Sequence, residues 1–302
     1  MKKTKIQIGL GIALFLVMLG IIIVAVVSDS GKNYIENYVA SIDVDESGGI
    51  IVEETVVVNY KQYMNYIQRN VKYNKVLTSG EPYKNYPSNV FSNSKANFNT
   101  NDVEIRAYRG NLLDENDIVT NITNDVAIVR SWDANPYYYT ESGARELTDG
   151  YLERVMCIDI LKNSSDAYNI PEEKRLYGYM TFVYRYQIES MVNTYNDCAE
   201  LNYVVFNETD MKIKNAKVTV TLPKQVSDIN ELRGYGHGLS NGLIEIAAPQ
   251  SVVYTAKNIT LEEDFEIRVL FPTGIVTETA TNHVDIEIKD RIINLEKISS
   301  VC

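Results

Sequence analysis

The feature that most constrains this chain is a period of two in its apolar residues. Tyr38, Ala40, Ile42 and Val44 alternate with polar neighbours, and Val52, Val56, Val58 and Tyr60 share one face of the segment that follows. Met180, Phe182, Tyr184, Tyr186 and Ile188 make a further such face. Ala216, Val218, Val220 and Leu222 repeat the pattern, as do Phe265, Ile267, Val269 and Phe271. Successive side chains of a strand point to opposite faces, so each run predicts a half-buried antiparallel strand. Turn residues separate the runs at Ser47-Gly48-Gly49, Pro223, Asn241-Gly242 and Pro272-Thr273-Gly274. Many short strands spaced by turns predict an all-β, antiparallel β-sandwich rather than a parallel sheet. The 22 tyrosines suit pleated surfaces, and 302 residues at 45% hydrophobic content can fill a sizeable core.

Between residues 74 and 170 the pattern is less regular, with strands expected at 103–108, 126–132 and 155–161. A strand at 284–288 should lead into a short helix capped by Asp290, with Ile292, Leu295 and Ile298 on adjacent turns. The expected organisation is therefore a segment 1–29, a β-sandwich over 30–290, as one body or as two lobes (30–170 and 171–290), and a helical tail at 291–302.

The first segment sets the compartment. Lys2, Lys3 and Lys5 precede residues 6–27, which carry no charge. As a helix this run reaches roughly 33 Å, about one bilayer core. The positive-inside rule keeps the lysines in the cytoplasm and places everything after Ser28 outside. The expectation is a single-pass anchor in the cell membrane, with the C-terminal domain extracytoplasmic. A cleaved signal peptide, with Val26 and Ser28 flanking the cut, is the alternative. No lipid-attachment cysteine follows the run.

The formal charge is −11, and removing Lys2, Lys3, Lys5 and Asp29 leaves 26 basic against 39 acidic residues. Nucleic-acid binding needs a basic face that displaces phosphate counterions, so no nucleic acid partner is expected. The same balance disfavours broad adhesion to anionic head groups.

Four groups of residues are candidates for chemistry. Asp43, Asp45, Ser47 and Glu54 fall at positions 1, 3, 5 and 12 of a calcium-loop pattern, with Gly48 at 6. The β-branched run after Glu54 does not suit the helix such a loop needs, and an ordinary β-turn explains Asp, Ser and Gly equally well. Calcium is thus the one cofactor the sequence suggests. Glu54 also shares an apolar strand face, where a lone carboxylate would be costly. Arg69 is the nearest arginine in sequence, so a structural ion pair is expected, with a catalytic carboxylate as the sharper alternative. Trp132, Tyr137, Tyr138 and Tyr139 read as a loop that either binds a partner or plugs one end of the sandwich. Cys157 and Cys198 lie in or beside predicted strands, and an oxidising compartment permits a disulfide between them; two buried thiols are the alternative.

Other chemistry is not announced. His237, within Gly234-Tyr235-Gly236-His237-Gly238, and His283 belong to no zinc or triad motif, and the glycines predict a tight turn with positive φ. Asn-X-Ser/Thr sequons at Asn121, Asn163, Asn207 and Asn258 are expected by chance in so Asn-rich a chain.

The strand motifs, taken in order, resemble a bacterial membrane-protein family, domain of unknown function 2207. Residues 41–55, SIDVDESGGIIVEET, resemble its opening hairpin, and 66–71, YIQRNV, its short arginine-bearing loop. Residues 179–186, YMTFVYRY, resemble its aromatic middle strand; 199–203 with 218–223, and then 266–272, resemble its later strands. The likeness covers about residues 36–75 and 177–275. Tyr203 stands where the family usually has tryptophan, and no apolar run follows where the family usually has membrane spans. The resemblance implies an extracytoplasmic β-domain and no activity. Two functions remain: a non-enzymatic binding or scaffold module for a protein or polymer partner outside the cytoplasm, or a surface hydrolase, for example of glycans, with an acidic site.

Overall fold

The structure is a computed structural model that describes residues 31–64, 66–77, 96–98, 102–126, 137–140, 143–146, 151–161, 176–206, 209–277 and 282–299. The apolar run 6–27 lies outside the described residues. Among those described, no helix is long and apolar enough to cross a membrane.

The chain is mostly β, in two main sheets. The first runs β15 (Leu243–Ala248), β16 (Ser251–Ile259), β13 (Lys212–Thr221), β1 (Tyr34–Val44), β2 (Ile50–Met64), β10 (Leu176–Glu189), β5 (Glu104–Arg109), β6 (Thr120–Asn121), with β4 (Asn97–Phe98) also on β10. The second runs β14 (Arg233–His237), β17 (Phe265–Phe271), β12 (Ala199–Phe206), β11 (Val192–Thr194), β18 (Asn282–His283). Here β3 (Tyr66–Leu77) joins β12, and β9 (Tyr151–Leu161) joins β3. A separate hairpin pairs β7 (Tyr137–Thr140) with β8 (Gly143–Glu146).

The inner faces are the ones the alternation marks. Val52, Val56, Val58 and Tyr60 of the first sheet and Leu201, Tyr203, Val205, Ile267 and Val269 of the second share one hydrophobic core. Aromatic contacts cross between the sheets: Tyr38 meets Phe206 edge-on at 5.3 Å, and Tyr254 meets Phe265 at 6.4 Å. In β2 the residues from Val56 to Tyr60 are all buried, as a central strand covered on both faces requires.

Several expectations are corrected. The sheets are mixed, not purely antiparallel: β1 runs antiparallel to β2 but parallel to β13, which arrives much later in the chain by a crossover that leaves direction free. Residues from 30–170 and 171–290 do not form separate lobes, because β1 and β2 pair with β13 and β10 inside one sheet. A bulge between Ile35 and Asn37 lets both Ile35 and Tyr38 face inward, which explains a spacing that also suits a helix. The tail helix starts earlier than expected, at Lys289, and residues 284–288 are not a strand. Its N-terminus is capped from afar: the Asp197 carboxylate accepts from the backbone N–H of Ile288 and of Lys289, each at 2.9 Å.

The glycine run is also different. Gly234 and Gly236 sit in strand β14, and a Cβ on Gly234 would stand 2.6 Å from Val252 Cγ1. Only Gly238, at φ +86°, adopts the expected left-handed turn.

Candidate functional site

Glu54 is wholly buried because the alternation of β2 turns it to the inner face between Val52 and Val56. Arg69, on β3 of the opposite sheet, crosses the sandwich to meet it. Arg69 Nε donates to Oε2 at 2.7 Å and Nη2 to Oε1 at 2.6 Å, a bidentate pair. Nη2 also donates to the Val205 carbonyl at 2.6 Å. The Tyr186 hydroxyl donates to Glu54 Oε1 at 2.6 Å and lies 2.8 Å from the Tyr203 hydroxyl. Tyr203 is thus a polar member of the core.

The electrostatics follow from burial. Desolvation first, and the Glu54 charge second, push the hydroxyls of Tyr38, Tyr186 and Tyr203 above the usual phenolic range. Burial alone would lower the Arg69 guanidinium, but the neighbouring Glu54 more than reverses this and raises it. These tyrosines stay neutral and this arginine charged at ordinary pH. The arrangement ties two sheets through charge-assisted hydrogen bonds.

The proposed calcium ligands do not meet. Asp43 lies exposed on β1, opposite Ile51. Asp45 Oδ1 closes the β1–β2 turn by accepting from the backbone N–H of Ser47 and Gly49 and from the Ser47 hydroxyl. Glu54 is inside, on Arg69. The spacing belongs to a hairpin, and among the described residues no group of three His, Cys, Asp or Glu could hold a metal ion.

The disulfide expectation is overturned as well. Cys198 is a free, buried thiol packed with Tyr195, Leu270 and Ile292. Cys157 pairs with Asn70 on β3, and β3 meets β12 at Lys72–Val204. Cys198 is six residues along the chain from that contact, about 20 Å in a strand, far beyond the ~7 Å between Cα atoms that a bridge allows. Burial raises the Cys198 thiol well above its ordinary range. Trp132 lies outside the described residues. Tyr137, Tyr138 and Tyr139 are not loop but strand, register-paired with Glu146, Arg145 and Ala144.

A second buried network escapes the sequence altogether. Arg268 of β17 places Nε 2.7 Å from Glu200 Oε1 on β12, and its Nη1 donates to Glu296 of the C-terminal helix. His237 Nε2 lies 3.3 Å from the same Glu296 oxygen, and the Tyr195 hydroxyl donates to Glu200 at 3.0 Å. Burial raises the Glu200 carboxyl, with Arg268 offsetting only part. Glu296 is lowered instead: burial opposes, but His237 and Arg268 outweigh it. Glu200 and Arg268 sit at outward positions of their strands, which read as solvated faces. What buries them is the helix packed over that face through Ile288 and Ile292.

Comparison with known proteins adds a family. The model described as "Predicted membrane protein (DUF2207) N-terminal domain" matches residues 34–271, including the stretch between 76 and 176 whose strands are hardest to read. No curated protein matches the sequence. Among solved structures, a protein provisionally described as a protease, from Parabacteroides distasonis, is 8% identical with a TM-score of 0.37, over 78% of this chain and 40% of that one. An M1 zinc metallopeptidase from Deinococcus radiodurans is 8% identical with a TM-score of 0.30, over 79% and 43%. A protein provisionally described as nutrient-binding, from Legionella pneumophila, is 8% identical with a TM-score of 0.34, over 79% and 67%. The chain spans less than half the length of the first two. Likenesses this slight transfer no activity.

Proposed function

This chain belongs to the DUF2207 family of predicted membrane proteins, and from that premise we propose a non-enzymatic binding or scaffold module of the cell envelope, anchored by residues 6–27 and lying outside the cytoplasm. The observation that carries the reading is how the interior acids are used. Glu54, the carboxylate that the sequence offers as a catalytic candidate, is enclosed by Arg69 and Tyr186 in the core between the sheets. A general acid or base must reach a substrate proton, and a carboxylate so enclosed holds sheets together instead.

The contact surface assigned to a polymer partner is the aromatic run Trp132, Tyr137, Tyr138 and Tyr139, whose rings suit stacking on sugars. The test is co-sedimentation of the full chain, in detergent, with purified cell-wall polymer, alongside an assay for released reducing ends. Binding without release, weakened by Trp132→Ala or Tyr138→Ala, is the expected result. Release of product would replace this reading with the surface hydrolase.

A further inference from the structure

Among the side chains that the structure describes, the exposed large apolar ones gather mostly at one end of the first sheet. Strand β1 begins at Tyr34, and at that end of the first sheet β2 finishes, β10 starts and β5 turns into β6. The β5–β6 loop there carries Leu112, Leu113 and Ile118, the last 87% exposed. Beside it stand Tyr63 and Tyr177, stacked at 4.6 Å, and Tyr179. Leu261, after β16, lies at the same end. Among the other residues whose side chains the structure describes, Ile229, Leu243 and Ile244 are the comparably exposed large apolar groups.

The loop is held in shape rather than loose. The Thr181 hydroxyl accepts from Leu112 N–H at 3.0 Å and donates to the Gly110 carbonyl at 2.7 Å, while Asp117 accepts from Asn111 N–H at 2.6 Å. Its apolar tips are thus presented to solvent at a standing cost, and concentrated patches of this kind mark contact surfaces.

The occupant is fixed by the chain that precedes the patch. The apolar run ends at Val27, and Asn33 is already tied to β2, accepting from Lys61 and Gln62 N–H at 2.8 and 3.0 Å. The five residues between them can bridge only about 20 Å from Val27 to Asn33. The opposite end of β1 lies about 35 Å further away. We propose that the β1-start end of the sandwich is a lipid-facing surface that rests on the headgroup layer of the same bilayer that holds residues 6–27; this rests on the anchored reading above.

The chemistry fits that layer. Tyrosines with one apolar body and one polar tip settle at membrane interfaces. Lys61 Nζ stands 5.9 Å from the centroid of the Tyr34 ring, an amine within reach of lipid phosphate, while Lys214 Nζ, 4.0 Å from the same centroid, is paired with Glu36 at 3.0 Å. Asp114, Glu115 and Asp117 share the loop, so attraction to anionic lipid is not the driving force. The short tether supplies a high effective concentration instead, and the apolar tips supply the contact.

The test uses the full chain in vesicles of phosphatidylcholine containing headgroup-nitroxide lipid. Ile118→Trp and, separately, Ser47→Trp at the far turn are made in a Trp132→Phe background; Leu113→Trp serves as a second probe of the loop. Quenching several-fold stronger at 118 and 113 than at 47, in protein that resists alkaline carbonate extraction, is the expected result. Carbonate-resistant protein with 118 and 113 as unquenched as 47 overturns this inference and leaves the anchor standing. Protein stripped by carbonate overturns the anchor and this inference with it.

Discussion

At the scale of single residues, the two buried charge networks are where substitution should cost most and where stability should respond to pH. Removing one partner of a buried ion pair leaves the other charged and alone, so Glu54→Ala and Arg69→Ala should each lower unfolding free energy by about 3–5 kcal/mol. The double variant should lose less than the sum, because the two groups share one interaction. Urea unfolding of all four proteins decides it, and additive losses would mean the pair contributes nothing as a pair. The second network makes a prediction about pH. Glu296 is held below the usual carboxylate range, so its contribution is present above its unfolded pKa and fades as pH falls through the folded value. Glu200 is raised, so its contribution is greatest below its unfolded pKa and fades as pH rises through the folded value. Glu296→Gln should therefore flatten the acid side of a plot of urea midpoint against pH, and Glu200→Gln should steepen it. Identical slopes in the three proteins would contradict this account. Glu54 and Arg69 are legible from sequence because a carboxylate on an apolar face asks for a partner. Glu200 and Arg268 are not, since they occupy the polar half of an ordinary alternation.

At the scale of elements, the C-terminal helix is the one piece whose presence changes what its neighbours experience. It covers the outer face of the second sheet with Ile288 and Ile292, and brings Glu296 to Arg268 and His237. Its first turn depends on Asp197, ninety-odd residues earlier, for its orphan N–H groups. Asp197→Ala should cost about 1 kcal/mol, and the loss should be local. Hydrogen exchange at 288–296 should quicken while β2 and β10 stay protected. Uniform quickening across the core would show that the helix is not a separable unit. The helix itself is visible in the sequence as Ile292 and Leu295 one turn apart. Its cap is not, because Asp290 sits where a local cap belongs while the distant Asp197 does the capping. The bulge in β1 shows the same limit: one inserted residue makes a strand imitate a helical spacing.

At the scale of the whole molecule, orientation is the property with the widest consequence. The lysines at 2, 3 and 5 and the apolar run 6–27 predict that an alkaline-phosphatase reporter fused after residue 302 is active, and that a cytoplasm-dependent reporter at the same place is not. Mass measurement of the mature protein should find residues 1–28 retained; their loss would turn the anchor into a cleaved signal. Inside the domain, the sequence by itself determined the strands and their buried faces, since the two-residue period of a strand is a local property written directly into apolar and polar alternation. Tyr38, Val52, Phe182, Val218 and Ile267 all point inward as that period requires. Tertiary structure decided what alternation cannot carry. It set β1 parallel to β13, kept Cys198 far from Cys157, drew Tyr137–Thr140 into a hairpin, and buried Glu200 and Arg268 beneath a helix. Each of these depends on which distant segment lies against which, and a strand's alternation names the face that must be covered without naming the element that covers it.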